Sequence, residues 1–221
     1  MTAGHAFLSK REWLLFGALM TLVSSLTAAE RARLIPLSDL ASSPHAVAEA
    51  RIWLLVTSAL LVSSPLFWSL VSFALFGMLT LRFCGARVLW ISAVAGHVAS
   101  TLVVYALLAL ARTFDPRAFE AVLKAPDYGV SGVSAAWLGA IASASWRARN
   151  RTPRGRIATA LAVVGVTLFA WILHPHVGFL DLEHVVAFGI GAVVAARSPH
   201  VRSMLRRNEL PRLDSNQQPS G

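Results

Sequence analysis

Six apolar runs, each bounded by charged, glycine or proline residues, divide the sequence at residues 13–29, 65–81, 88–111, 129–146, 157–174 and 182–196. The hydrocarbon core of a bilayer is about 30 Å thick and takes roughly 20 apolar residues of α-helix, so each run is near a membrane-crossing length. In lipid a helix is the form that satisfies every backbone hydrogen bond within its own segment. The pattern predicts an all-α polytopic membrane helix bundle with six transmembrane helices over residues 13–197. Residues 1–12 form a cytoplasmic N-terminus and residues 198–221 a basic, disordered cytoplasmic tail. A further apolar piece, Ile52 to Val62, is too short to cross alone and ends at Ser63-Ser64-Pro65, where proline disfavours helix in the residue before it. It fits two descriptions: a re-entrant or interfacial segment, or the first part of one long, kinked and tilted second span.

Lysine and arginine set the orientation, because cytoplasmic loops carry the excess of both. With the N-terminus in the cytoplasm, Lys10, Arg11, Arg82, Arg87, the arginines from Arg147 to Arg156 and those from Arg197 onward share one side. Asp39, Glu49, Asp115, Glu120, Asp127, Asp181 and Glu183 fall on the other, together with Arg31, Arg33, Arg51, Arg112, Arg117 and Lys124. The rule is therefore met on balance, most strongly at the Arg147–Arg156 loop, and both ends are predicted to be cytoplasmic. The first run also has features of a signal peptide, since Lys10 and Arg11 precede it and Thr27-Ala28-Ala29 resembles a cleavage site. Its apolar stretch exceeds the roughly 7–15 residues of a signal core, which favours a retained span.

Composition agrees with lipid as the main solvent. Of 221 residues, 56% are hydrophobic and 14% charged, against about 25% charged in an ordinary soluble domain. The net charge of +9 lies largely in short loops, which points to anionic lipid headgroups and away from nucleic acid. The expected location is the cell inner (plasma) membrane, as a multi-pass protein. Cys84 is the single cysteine, so neither an internal disulfide nor a cysteine metal cage is available. No metal or other cofactor is expected. The seven tryptophans lie mostly toward span ends, where indole favours the headgroup region.

Two places put reactive groups where a membrane helix does not need them. Asp127-Tyr128-Gly129-Val130-Ser131-Gly132 opens the fourth span, and Asp181-Leu182-Glu183-His184 opens the sixth. Both spans are predicted to run from outside to inside, so Ser131 and His184 lie at similar depth below the outer surface. An imidazole within about 2.6–3.2 Å of a serine hydroxyl can take its proton as the oxygen attacks a carbonyl. Gly129 and Gly132 leave space for a substrate and for peptide N–H groups aimed at an oxyanion. Ser131, Ala135 and Ala142 share one helical face; His184, Ala187, Gly191 and Ala195 share a face of the other helix. Small residues at that spacing bring membrane helices together.

Gly129-Val130-Ser131-Gly132, followed far downstream by His184 with Ala187 and Gly191 after it, resembles the rhomboid family of intramembrane serine proteases. The likeness extends to the six-helix plan and the orientation, and covers most of residues 50–197. It implies Ser131 as nucleophile, His184 as general base without an aspartate, and transmembrane-helix proteins as substrates or partners. The chain departs from the family where a second-span histidine and asparagine, four residues apart, help stabilise the oxyanion: Trp68 and Ser72 stand there. The Trp-Arg pair of the first external loop is matched only by Arg51 and Trp53. The loss of one oxyanion donor costs about 2.7–4 kcal/mol of transition-state stabilisation. These departures bring the chain closer to the divergent, mostly bacterial rhomboid-like proteins.

Other readings stand beside this one. Ser131 and Asp127 suit helix capping, and His184 suits an interfacial helix start. His97, near the middle of the third span, should face the bundle interior, either supplying a missing oxyanion donor near Ser131 or bonding a neighbouring helix. A non-catalytic relative would keep the fold to bind transmembrane helices. His174, His176, Asp181, Glu183 and His184 could together hold a cation, in a metal-binding or transport protein.

Overall fold

The computed structural model describes residues 9–62, 65–148, 160, 179–199 and 201. They form α1 (Lys10–Arg31), α2 (Pro44–Ala48), α3 (Leu54–Thr57), α4 (Leu66–Cys84), α5 (Ala86–Arg112), α6 (Pro116–Lys124), α7 (Ser131–Ala148) and α8 (Phe179–Arg197). Among the described residues there is no strand. Three helices, α1, α4 and α5, are long and apolar enough to cross a membrane. The predicted fifth span and the tail beyond residue 201 lie outside the described residues.

Local sequence accounts for the helix limits. α1 begins in a capping box, in which Ser9 Oγ accepts from the Glu12 N–H while the Glu12 carboxylate accepts from the Ser9 N–H. α4 and α5 are separated by Gly85 alone, at φ 85°, where glycine carries no Cβ penalty. The apolar piece before α4 is not a helical extension of it. α3 passes into a 3₁₀ turn at Ser58–Leu60 that ends in extended backbone at Leu61. Leu54, Leu61 and Val62 are buried, and the Val62 N–H donates to Thr27 Oγ1 of α1 at 3.1 Å. Here a separate, short inserted segment replaces the long kinked span.

Contacts along the helices give their directions. Asp127, Gly132 and Trp137 meet Tyr105, His97 and Leu89 in turn, so α5 runs antiparallel to α7. Glu183 lies at Gly132, Ala187 clusters with Ala136, and Ala195 clusters with Ala140 and Ala144. α8 therefore runs parallel to α7, and the two helices begin at the same end of the bundle, the Asp127 end. α4 also runs with α7, from the Val130–Leu61 backbone bond to the Cys84–Ala140 contact. α1 runs against α4, with Thr27 at Val62 and Phe16 at Gly77.

α7 is the central helix, buried without a break from Gly132 to Ile141. Its composition explains that position: glycine, alanine and serine on every face let α4, α5 and α8 approach closely, and packing supplies the attraction that apolar transfer cannot supply within lipid. A Cβ on Gly191 would overlap the Ala136 carbonyl, one on Gly139 the Phe188 carbonyl, and one on Gly96 the Ala136 methyl. The largest exception is Trp137, fully buried near the middle of α7, which donates from Nε1 to the Leu89 carbonyl at 3.0 Å and packs on Phe73. It departs from the headgroup location expected of most tryptophans because its one polar atom finds a partner inside. The outer faces of α1, α4 and α5 expose Leu14, Phe67, Trp68 and Val94, a surface suited to lipid and not to water.

Candidate active site

The Asp127 end is assembled by the segment that precedes α7. Asp127 and Ser42 exchange backbone hydrogen bonds at 2.9 and 2.7 Å, tying this segment to the α1–α4 connection. Gly129 then turns with φ 143°, a conformation L side chains rarely adopt, and its N–H donates to the Ser58 carbonyl at 3.0 Å. Val130 donates to the Leu61 carbonyl at 2.9 Å. The inserted segment 54–62 thus serves as the backbone partner that fixes the entry to α7. Ser131 follows at once, half-exposed, as the first residue of the helix.

Gly132 comes next and is buried. A Cβ there would lie 3.0 Å from His97 Nδ1 and 3.3 Å from Glu183 Oε1, so glycine lets an imidazole and a carboxyl sit against the start of α7. His97 and Glu183 are 3% and 5% exposed, with Nδ1 and Oε1 3.6 Å apart. The other ring nitrogen of His97, Nε2, is 3.1 Å from Ser58 Oγ. Thr101 Oγ1 donates to Glu183 Oε1 at 2.7 Å. Tyr105, one turn further along α5, donates to Asp127 Oδ2 at 2.9 Å and lies 2.8 Å from Ser42 Oγ. The Asp127 and Glu183 carboxyls are themselves hydrogen-bonded to one another. Burial raises the pKa of Asp127 above the usual aspartate range, while its hydrogen bonds from Tyr105 and with Glu183 pull the other way.

The predicted site residues occupy this region or the contact below it. Gly129, Ser131, Gly132 and His97 form the wall just described. His184 is half-buried, one residue beyond Glu183, within electrostatic range of both Asp181 and His97. Ala135, Ala187 and Gly191 are buried in the α7–α8 contact. Asp127 is not confined to helix capping, because its carboxyl belongs to the buried network. Trp68 and Ser72 lie apart from it: Trp68 is 67% exposed, and Ser72 Oγ donates to the Ser69 carbonyl within α4. Arg51 stands over the Trp53 ring at 5.9 Å and donates to the Ser38 carbonyl at 2.7 Å, so those two residues do pair in the first loop. His174 and His176 lie outside the described residues, among which no group of three or more His, Cys, Asp or Glu side chains is placed to hold a metal ion.

Sequence reasoning missed Ser42, Ser58, Thr101 and Tyr105 and gave Glu183 no part in this centre. One signal was available: His97, Thr101 and Tyr105 recur every fourth residue and so mark one polar face on an apolar helix. A scan against protein-family models and a search of curated proteins each return no match to this chain.

Proposed function

We propose that the protein is a divergent rhomboid-like intramembrane serine protease, crossing the cell inner membrane six times with both ends cytoplasmic. Ser131 is the nucleophile and His184 its general base, acting on peptide bonds in transmembrane substrates. The observation that carries this reading is the parallel course of α7 and α8 from a common end, with Ser131 and His184 each one residue from the Gly132–Glu183 contact. Parallel neighbours require a return crossing between them, and the apolar run 157–174 is the segment of the right length to supply it.

The chemistry follows from the groups at that end. His184 takes the Ser131 proton as the hydroxyl oxygen attacks the scissile carbonyl, and returns it to the leaving amine. The half-exposed position of Ser131 at the helix start gives substrate and water an approach. The first peptide N–H groups of α7 have no partner within the helix and favour negative charge, which suits them to the oxyanion. His97 packs against Gly132 and supports the helix start whose peptide N–H groups face the oxyanion, in place of the side-chain donor that Trp68 does not supply. The test is cleavage of a reporter transmembrane substrate in vesicles by wild type, Ser131→Ala and His184→Ala. Cleavage by wild type alone is the expected result; equal cleavage by all three, or none by wild type, refutes it.

One observation favours a second reading, a non-catalytic relative that binds transmembrane helices. Trp68 and Ser72 leave the second-span oxyanion position unfilled, and Phe67 and Trp68 offer an exposed aromatic face at the start of α4. Co-purification of a transmembrane segment with wild type, undiminished in Ser131→Ala and without cleavage by either, would select this alternative.

A further inference from the structure

The polar groups at the Asp127 end include two carboxyls with no lysine or arginine partner among the described residues. Glu183 accepts from Thr101 and Asp127 accepts from Tyr105, yet the two carboxyls also meet each other, a contact that needs a proton between them. The Nε2 atom of His97 is 3.1 Å from Ser58 Oγ, and the tautomer of the ring decides which of the two donates. Nδ1 has no hydrogen-bond partner; it is buried and directed at Glu183 Oε1 from 3.6 Å. That juxtaposition is repulsive unless a proton resides on one of the two atoms.

Among the described residues, no lysine or arginine side chain faces the cluster. Among the described residues, the titratable groups near the cluster are Tyr105 from α5 and Asp181 and His184 from α8. Ser42, Ser58 and Thr101 contribute hydroxyls. Among the described residues no lysine or arginine pairs with Asp127 or Glu183.

We infer that His97, Glu183 and Asp127 form a proton-binding site, in which the Asp127–Glu183 carboxyl pair holds a proton between its two members and the His97 ring faces that pair. The ligand is the proton itself, exchanged with water at the Asp127 end. Loss of the proton held between the carboxyls sets two carboxylates against each other, and Asp127 moves away from Glu183. Because Asp127 also carries the backbone bridge to Ser42, its displacement loosens the turn that positions Gly129 and Ser131. Protonation is thereby coupled to the geometry at the start of α7. This inference does not depend on Ser131 being a nucleophile.

Infrared spectroscopy of the full chain in lipid vesicles at neutral pH tests it. Wild type should show the carbonyl stretch of a protonated carboxylic acid, sensitive to hydrogen–deuterium exchange. The band should be lost in Glu183→Gln, where an amide donates to an ionised Asp127, and shifted in Asp127→Asn. Ser131→Ala should leave it unchanged, and fluorophosphonate labelling of the same samples reports the protease reading separately. A wild-type spectrum without the band, or a band unmoved in both carboxyl variants, overturns the proposal. So does a band that Asp127→Asn leaves unmoved while Glu183→Gln removes it, because the proton would then not be shared. Should one variant fail to fold, the wild-type band and the remaining variant decide.

Discussion

At its middle, α7 meets α5 and α8 through glycine, alanine and backbone carbonyls, whereas at the Asp127 end the same three helices meet through hydroxyls, an imidazole and two carboxyls. The dry contact with α8 is fixed by shape, and the Trp137–Leu89 hydrogen bond adds a single polar tie to α5. Gly96, Gly139 and Gly191 each leave no room for a methyl group, and lipid offers no hydrophobic gain to offset a poorer fit. The polar end is fixed by hydrogen bonds whose number depends on how many protons are present. One end of α7 is therefore rigid by construction, and the other is set by chemical conditions, which is where a site that responds to its surroundings belongs.

Substitutions can break either half of that comparison. The largest effect is expected in the dry contact: Gly191→Val or Gly139→Val should destabilise by about 3 kcal/mol or more, the upper end of overpacking costs, because the obstructing atoms are backbone. Thermal unfolding in detergent, followed by circular dichroism, measures it. Trp137→Phe should cost about 0.5–1.5 kcal/mol, since it keeps a ring against Phe73 and removes one of the donors to the Leu89 carbonyl, which also accepts from Ser92 Oγ. At the polar end the signature is pH. Burial raises Asp127 above its ordinary value, so the folded chain holds a proton that the unfolded chain releases. That contribution is complete below the usual aspartate range, near 3.9, and is lost as pH rises through the raised value. Wild-type melting temperature should fall across that window, and Asp127→Asn should flatten the profile. The smallest effect belongs to Glu120, whose exposed carboxylate is stabilised chiefly by its hydrogen bond from Lys124 on α6. Glu120→Gln should leave the melting temperature unchanged, since exposed pairs are screened by water.

Much of the helical plan was legible because a membrane helix declares itself by length and apolarity. Runs 13–29, 65–81 and 88–111 correspond to α1, α4 and α5, and 129–146 and 182–196 to α7 and α8, within a few residues. The small-residue stripes Ala135 and Ala187–Gly191 were legible for a related reason: spacing on a helix fixes direction around its axis. Partners across helices were not. Ala136, Gly139 and Gly96 form the tightest contacts beside the predicted ones, because which small residue meets which backbone depends on crossing angle and register, and neither is written in one helix's sequence. Trp137 escaped the general pattern because its indole N–H needed a carbonyl on another helix. Glu183 was passed over in favour of His184, yet a shift of one position around α8 decides which side chain turns inward and which stays half-exposed. The segment 52–62 was ambiguous for want of a tertiary partner, and Thr27 and Val130 resolve it.

The central claim is that Ser131 and His184 react as a pair at the start of two parallel helices, and labelling by a fluorophosphonate probe tests it most directly. In vesicles, wild type should be modified at Ser131, as located by mass spectrometry of the labelled chain. His184→Ala should reduce the labelling rate by at least about 10³-fold while keeping the wild-type melting temperature, since the base that activates the hydroxyl is gone. Labelling at Ser131 that proceeds equally without His184, or no labelling of the folded wild type, would contradict the account.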